Sequence, residues 1–299
     1  MNDLWNNRDW TPMLLNERQK PFISTDYLFE IKFDGSRAIV FASPNEVNII
    51  NRRKQDVTYL YPELINIKKV VKRNTIFDGE IIALDNGAPS FSKLQNRLHL
   101  KNKQKINIQQ KNNPVIFVCF DILYDAKNVI NHSLKERKKI LDKYPENDVF
   151  IKANYVFTNG EELFKFTRKK NLEGIVAKKI DSKYEVSVRS ECWFKVKNIK
   201  EGNFFVGGYV NKEKSFSLSL LLGEFFNNSL NYVGKVTISK KSRLFKKIIS
   251  QPKLKKSPFV NYENSLVIYI KPTLVCRVKY LERTKENRLR QPILISEEE

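Results

Sequence analysis

The chain has 299 residues, 41% of them hydrophobic, and a formal charge of +21, enough for two domains with real cores and basic enough to imply a polyanionic partner, nucleic acid before an anionic membrane. No apolar run approaches the ~18 residues of a membrane span, and Met1-Asn2-Asp3-Leu4-Trp5-Asn6 lacks the basic flank and apolar stretch of a signal peptide, so a cytoplasmic protein is expected. Cys119, Cys192 and Cys276 lie far apart without a Cys-x-x-Cys, so neither a zinc site nor a disulfide framework is indicated, and His99 and His132 alone leave little room for histidine acid–base chemistry.

Residues 1–26, with Pro12 and Pro21, are irregular and read as an arm packed over a core. Strands are expected at about 27–33, 36–43 and 46–51, and Asp34-Gly35 between the first two is a hairpin-turn signal. Pro62-Glu63-Leu64 opens a helical pattern to about Lys72, an apolar strand follows over Thr75–Leu84, and Asp85-Asn86-Gly87 marks a turn. The Lys/Asn/Gln-rich stretch 101–113 reads as an exposed loop, and Val115–Leu123 as a buried strand interrupted by Asp121. Ser133-Leu134-Lys135-Glu136 is a capping box opening a helix to about Tyr144. A second helix is expected at 160–171, then strands at 173–178 and 193–197.

Composition changes near 198–203. Beyond it, strands are expected at 204–210, 216–222, 230–238, 266–271 and 274–280, with a basic helical segment at about 240–250. Five short strands and one helix in about 100 residues point to an OB-fold β-barrel. The expected division is therefore 1–199 and 200–299. Residues 201–299 carry 18 Lys/Arg against 9 Asp/Glu, so both parts are basic.

Lys32, in Lys32-Phe33-Asp34-Gly35-Ser36-Arg37, sits at a strand end among charges that could activate it as a nucleophile. Asp34-Gly35, Asp78-Gly79-Glu80 and Glu173-Gly174 place carboxylates in apolar surroundings, where burial is expensive without a cation. Glu80 and Glu173 are candidate ligands for a hard divalent ion; turn residues and salt bridges are the alternative reading. Lys195 and Lys197 alternate with Trp193 on one strand face, as phosphate ligands or as a solvent-facing edge.

Taken in order, Lys32-x-Asp34-Gly35-x-Arg37, Asp78-Gly79-Glu80, Phe120-Asp121, Glu173-Gly174 and Trp193-x-Lys195-x-Lys197 resemble motifs I, III, IIIa, IV and V of the covalent nucleotidyltransferases, which comprise ATP-dependent DNA ligases, RNA ligases and mRNA capping enzymes. The stretches Asn51–Thr58 with Tyr61–Leu64, Ser90–Arg97, Phe205–Tyr209 and Leu289–Pro292 are similar to ATP-dependent DNA ligases, the last to the ligase module of bacterial end-joining ligases. The resemblance spans about residues 10–295.

It implies an α+β chain: an adenylation domain of antiparallel sheets with flanking helices, then an OB-fold domain that closes over ATP and swings to grip DNA. It implies a minimal DNA ligase that seals nicks through AMP on Lys32. Glu30 would sit near the adenine amine and Phe120 would stack on the base. Arg37 would contact the ribose, with Glu80 there or at the metal. Lys195 and Lys197 would touch the α-phosphate, with Lys178 facing phosphate too. Arg52 would bind the 5′-phosphate of the nick, Asp34 would orient or deprotonate the 3′-OH, and Arg290 would reach the β/γ-phosphates. Glu173, with Glu80, would hold Mg²⁺ or Mn²⁺. The implied partners are nicked double-stranded DNA and, on family analogy, Ku or another repair protein. A nucleoid-associated monomer is expected, with no DNA-binding domain before the first motif. An RNA ligase or GTP-using capping enzyme is the enzymatic alternative, which the motif Ia and C-terminal matches disfavour. A non-catalytic OB-fold nucleic-acid-binding protein is the other.

Overall fold

The computed structural model describes residues 3–211 and 215–295. The chain divides into two compact units that meet in sequence at Asn198 and Ile199. The first contains β1 (Leu14–Glu17), β2 (Ile23–Ile31), β3 (Ser36–Ala42), β4 (Val47–Asn51), β5 (Thr75–Asp85), β6 (Ala88–Pro89), α1 (Phe91–Leu98), α2 (Lys103–Asn112), β7 (Val115–Asp125), α3 (Leu134–Leu141), β8 (Phe150–Lys152), β9 (Tyr155–Asn159), α4 (Gly160–Lys169), β10 (Gly174–Lys179) and β11 (Arg189–Lys197).

These strands form two sheets. One runs β1-β11-β10-β2-β9, the other β4-β3-β5-β7-β8 with β6 paired to β5. Pairing is antiparallel except for β1 with β11 and β7 with β8. Successive side chains along a strand face opposite ways, and both sheets obey this sharply. In the first sheet Phe29, Ile175, Ala177 and Val196 pack on one side with Leu163 and Phe164 of α4. In the second, Ala38, Val40, Phe77, Ile81 and Phe117 face a core shared with Leu64, Ile67 and Leu94. Leu28 and Trp193 of the first sheet meet Ile39, Phe41 and Ile76 of the second in a third core between the sheets, closed by Leu4, Trp10 and Met13 of the N-terminal arm.

Four local expectations change. The arm is not irregular throughout: Leu14–Glu17 forms β1 beside β11, and β2 begins at Ile23. Asp34-Gly35 does not close a hairpin: β2 and β3 belong to different sheets, and residues 32–35 carry the chain from one to the other. Neither residue has the positive φ of a two-residue hairpin turn. Gly35 is needed for closeness instead, since a Cβ there would lie 2.2 Å from Ile81 O and 2.8 Å from Glu80 Cγ. The stretch 101–113 is largely helical: the Asn102 side chain caps α2 by accepting from the N–H groups of Gln104 and Lys105. The segment after Tyr61 is a 3₁₀ run, Pro62–Val70, not an α-helix. The Ser133/Glu136 capping box is formed at the start of α3.

The second unit holds β12 (Lys200–Asn211), β13 (Ser217–Phe226), β14 (Ser229–Ser239), α5 (Arg243–Ile249), β15 (Lys253–Leu254), β16 (Ile268–Ile270), β17 (Val275–Tyr280) and β18 (Ile293–Leu294). Its antiparallel sheet runs β14-β13-β12-β16-β15, with β17 bridging β12 and β18. Phe204, Val206, Leu220, Val236, Ile270 and Val278 fill its core beside Ile248 of α5, in keeping with an OB-fold unit. No helix among the described residues is long and apolar enough to cross a membrane.

Candidate active site

One pocket opens between the two sheets of the first unit, with Glu30, Lys32, Arg37, Glu80, Phe120 and Lys178 in its wall. Strand alternation puts them there. Glu30 of β2 pairs with Val176 of β10, which pairs with Lys195 of β11, so these three side chains, with Lys178 and Trp193, share the inner face. Across the gap, Arg37 of β3 pairs with Glu80 of β5. Phe120 lies at an irregularity between β5 and β7, where Asp78 opposes Asp121 and Gly79 opposes Cys119; such a bulge re-aims a side chain beside a site.

Lys32 emerges from the end of β2 next to the start of β10, its N–H bonded to Gly174 O at 2.9 Å. That brings its Nζ to 2.8 Å from Glu173 Oε2. Gly174 has φ +144° and a Cβ there would lie 2.1 Å from Val196 O, so the residue after Glu173 must be glycine for β10 to begin here. Burial pushes the Glu173 carboxyl up, with Lys32 pulling against it. Asp34 and Lys197 also lie within electrostatic reach of Glu173. Lys195 is ion-paired with Glu17 at 3.2 Å.

Arg37 holds Asp78 with two bonds, Nε to Oδ1 and Nη2 to Oδ2, each 2.5 Å. Tyr184 donates to the same carboxylate at 2.6 Å. Burial works against the Arg37 charge, Asp78 outweighs it, and the guanidinium is held above its ordinary range. It stacks 4.5 Å from the centre of the Phe120 ring. Burial pushes Glu80 up to about 7, opposed by Lys32 and Arg37 and reinforced by the charges of Glu173 and Asp78.

Glu30 is only 2% exposed. Lys138 of α3 donates to its Oε1, and Lys178 Nζ lies 2.7 Å from its Oε2, off the angle of a hydrogen bond. The Lys178 ammonium sits 4.2 Å from the ring centres of both Phe120 and Trp193. Burial pushes it down to about 8, with Glu30 pulling the other way.

Asp34, Glu173, Lys195 and Lys197 are not in the pocket wall, Glu173 being tied to it through Lys32; Arg52 and Arg290 also fall elsewhere. Arg52 is exposed just beyond β4 and outside the pocket wall. Arg290 belongs to the second unit, where it pairs with Glu282 at 2.9 Å. Sequence reasoning passed over Lys138, Asp78 and Tyr184 as site residues. It placed Trp193 on the face of Lys195 and Lys197 without giving it a role.

Among the described residues no group of three or more His, Cys, Asp or Glu side chains is arranged to hold a metal. Glu80 and Glu173 nonetheless both lie within electrostatic reach of Lys32, and burial pushes both carboxyls up. That donor set fits Mg²⁺, which takes one or two carboxylates plus waters and substrate phosphates in preference to an all-protein cage.

Residues 12–197 match the family model of the ATP dependent DNA ligase domain, and 213–297 that of the ATP dependent DNA ligase C terminal region. The chain belongs to the ATP-dependent DNA ligase family. This ligase is 32% identical over 286 residues to the SPbeta prophage-derived DNA ligase-like protein LigB of Bacillus subtilis, with 94% of this chain and 96% of that protein covered. It is 31% identical over 298 residues to the multifunctional non-homologous end joining protein LigD of Mycolicibacterium smegmatis, covering 95% of this chain but 38% of that longer protein. The crystal structure of the ligase domain from M. tuberculosis LigD superimposes with a TM-score of 0.58 at 28% identity, covering 96% of this chain and 94% of that one.

Proposed function

We propose that this ligase seals 3′-OH/5′-phosphate nicks in DNA through a Lys32–AMP intermediate. The observation that carries the reading is Lys32 in the wall of a pocket that also holds Phe120, Glu80 and Arg37, with Glu173 Oε2 2.8 Å from its Nζ. In the first step Lys32 Nζ, having lost its proton, attacks the α-phosphorus of ATP. A P–N bond forms, the α–β bridging P–O bond breaks, and pyrophosphate leaves. In the second, a 5′-phosphate oxygen of the nick takes the AMP and Lys32 is regenerated. In the third, the 3′-OH attacks that 5′-phosphate, loses its proton and releases AMP.

In this scheme Glu30 lies near the adenine amine, with Lys178 beside it. Phe120 offers a face for the base and Arg37 contacts the ribose. Lys195 and Lys197 stabilise charge on the α-phosphate, as positioned cations do in phosphoryl transfer. Glu80 and Glu173 would supply the carboxylate ligands of Mg²⁺ or Mn²⁺, which neutralises phosphate charge when bound. Asp34, near Glu173, acts on the 3′-OH. Exposed Arg52 takes the 5′-phosphate, and Arg290 in the second unit takes the β/γ-phosphates. The basic charge of both parts of the chain supports duplex DNA as the polyanion, and the end-joining relatives support a repair partner such as Ku.

The test is the protein mass with and without ATP and then pyrophosphate, followed by labelled ATP or GTP and nicked DNA or RNA. An AMP-sized adduct that pyrophosphate removes, absent in K32A, is expected with sealing of nicked DNA. Labelling from GTP without DNA sealing would overturn the reading.

A further inference from the structure

Lys138 lies outside the pocket wall, yet its ammonium reaches the pocket's buried acid. It is 3% exposed and donates to Glu30 Oε1 from behind, its charge 5.0 Å from the centre of the Tyr155 ring. Such a lysine is expensive to bury, and nothing in the adenylation chemistry above employs it. Its helix is firmly placed. The capping box fixes the start of α3. The neighbouring Arg137 holds Asp121 through two bonds of 2.8 and 2.9 Å and donates to the carbonyls of His132 and Ser182 at 2.7 and 3.0 Å. Asp121 adjoins Phe120. One helix therefore anchors both the acid and the aromatic of the base pocket.

A carboxylate offers about four lone-pair sites. Lys138 occupies one on Oε1, and Lys178 faces Oε2 without hydrogen-bond alignment. The carboxylate is thus fixed in orientation with acceptor capacity left over. A base stacked on Phe120 would meet a fixed negative acceptor, which suits an exocyclic amine and repels a carbonyl oxygen.

We propose that Lys138 is a positioning residue for nucleobase selection: it pins the Glu30 carboxylate so that Glu30 accepts a hydrogen bond from the 6-amino group of ATP. This rests on the reading of the pocket as an ATP site with Glu30 at the base.

The test compares lysine nucleotidylation with ATP and with purine riboside triphosphate, which lacks the 6-amino group, by KM and by maximal rate. The wild type prefers ATP, and both E30Q and K138M lose about tenfold of that preference, the scale of a hydrogen bond to a charged group. The loss falls in KM for ATP and leaves the analogue's KM in place, which a general loosening of the fold would not do, and K138R restores it. If K138M does not fold, E30Q/K138M, which removes both charges of the pair, carries the test by matching E30Q alone. Retained preference in K138M, or a further loss in the double variant, overturns the role of Lys138. A wild type without preference for ATP overturns the Glu30 reading itself, and a wild type that takes no label from either nucleotide overturns the ATP site.

Discussion

Lys32 Nζ and Glu173 Oε2 are 2.8 Å apart, brought together because β2 ends where the antiparallel β10 begins. The proposed nucleophile is thus held by a carboxylate that is also a proposed metal ligand. The two roles of Glu173 separate experimentally. If Glu173 only restrained Lys32, E173Q would speed adenylation. On the proposal that Glu173 also serves a metal, E173Q is expected to slow adenylation by on the order of 100-fold, with the metal requirement shifted to higher concentration. K32R, which keeps a cation beside Glu173 but cannot be deprotonated, should fold with near wild-type thermal stability and form no adduct in intact-protein mass spectra.

Gly35 and Gly87 make a matched pair of glycine tests. A Cβ at Gly35 would meet the backbone of Ile81 and the Glu80 side chain, so G35A must push β5 away from the crossover. Overpacking of this kind costs about 1–3 kcal/mol, and here it also displaces Glu80; G35A should lose adenylation. Gly87 has φ +82° with open space around it, so G87A should cost roughly 1 kcal/mol and retain adenylation. Chemical denaturation and adduct formation measured on both variants distinguish the two kinds of glycine.

Much of this arrangement was legible in the sequence. Period-2 alternation in Trp193-x-Lys195-x-Lys197 and the capping box at Ser133 gave the right elements and faces. Asp34-Gly35 misled because the dipeptide favours a hairpin locally, while pairing of β2 with β10 and of β3 with β5 decides its path. The helix α2 was missed because only Ile106 is buried on it, so it lacks an apolar stripe and depends on its Asn102 cap. Lys138 reads as one more surface cation in a basic helix; its burial against Glu30 arises from residues 108 positions apart, which no local pattern carries.

Lys178 yields a prediction in stability against pH. The groups that act on it are Glu30, Lys138 and Asp121. Burial lowers its folded-state value from 10.5 to about 8. Below about pH 8 folded and unfolded chains both hold the proton, and the burial penalty is complete. Between about 8 and 10.5 the folded chain has released it while the unfolded chain keeps it. The unfolded state then binds more protons, so stability rises with pH. Relative to K178M, the wild type should gain up to about 3 kcal/mol across that window. Urea titrations of both proteins from pH 7 to 10 measure it, and parallel curves would count against a depressed Lys178.

Arg137 and Asp121 are both fully buried, joined by two hydrogen bonds. Removing one member leaves an unpaired charge in the core, which costs about 3–5 kcal/mol. R137M should show that loss in urea denaturation. The damage should reach the site as well, because Asp121 follows Phe120 on the bulged part of β7 and Arg137 precedes Lys138 on α3. KM for ATP should therefore rise even where R137M is fully folded. Replacing both partners, in R137M/D121L, removes the stranded charge and should recover part of the stability. If the double variant regains stability while KM for ATP stays high, the pair positions the base pocket; recovery of both together would reduce it to a fold-stabilising pair.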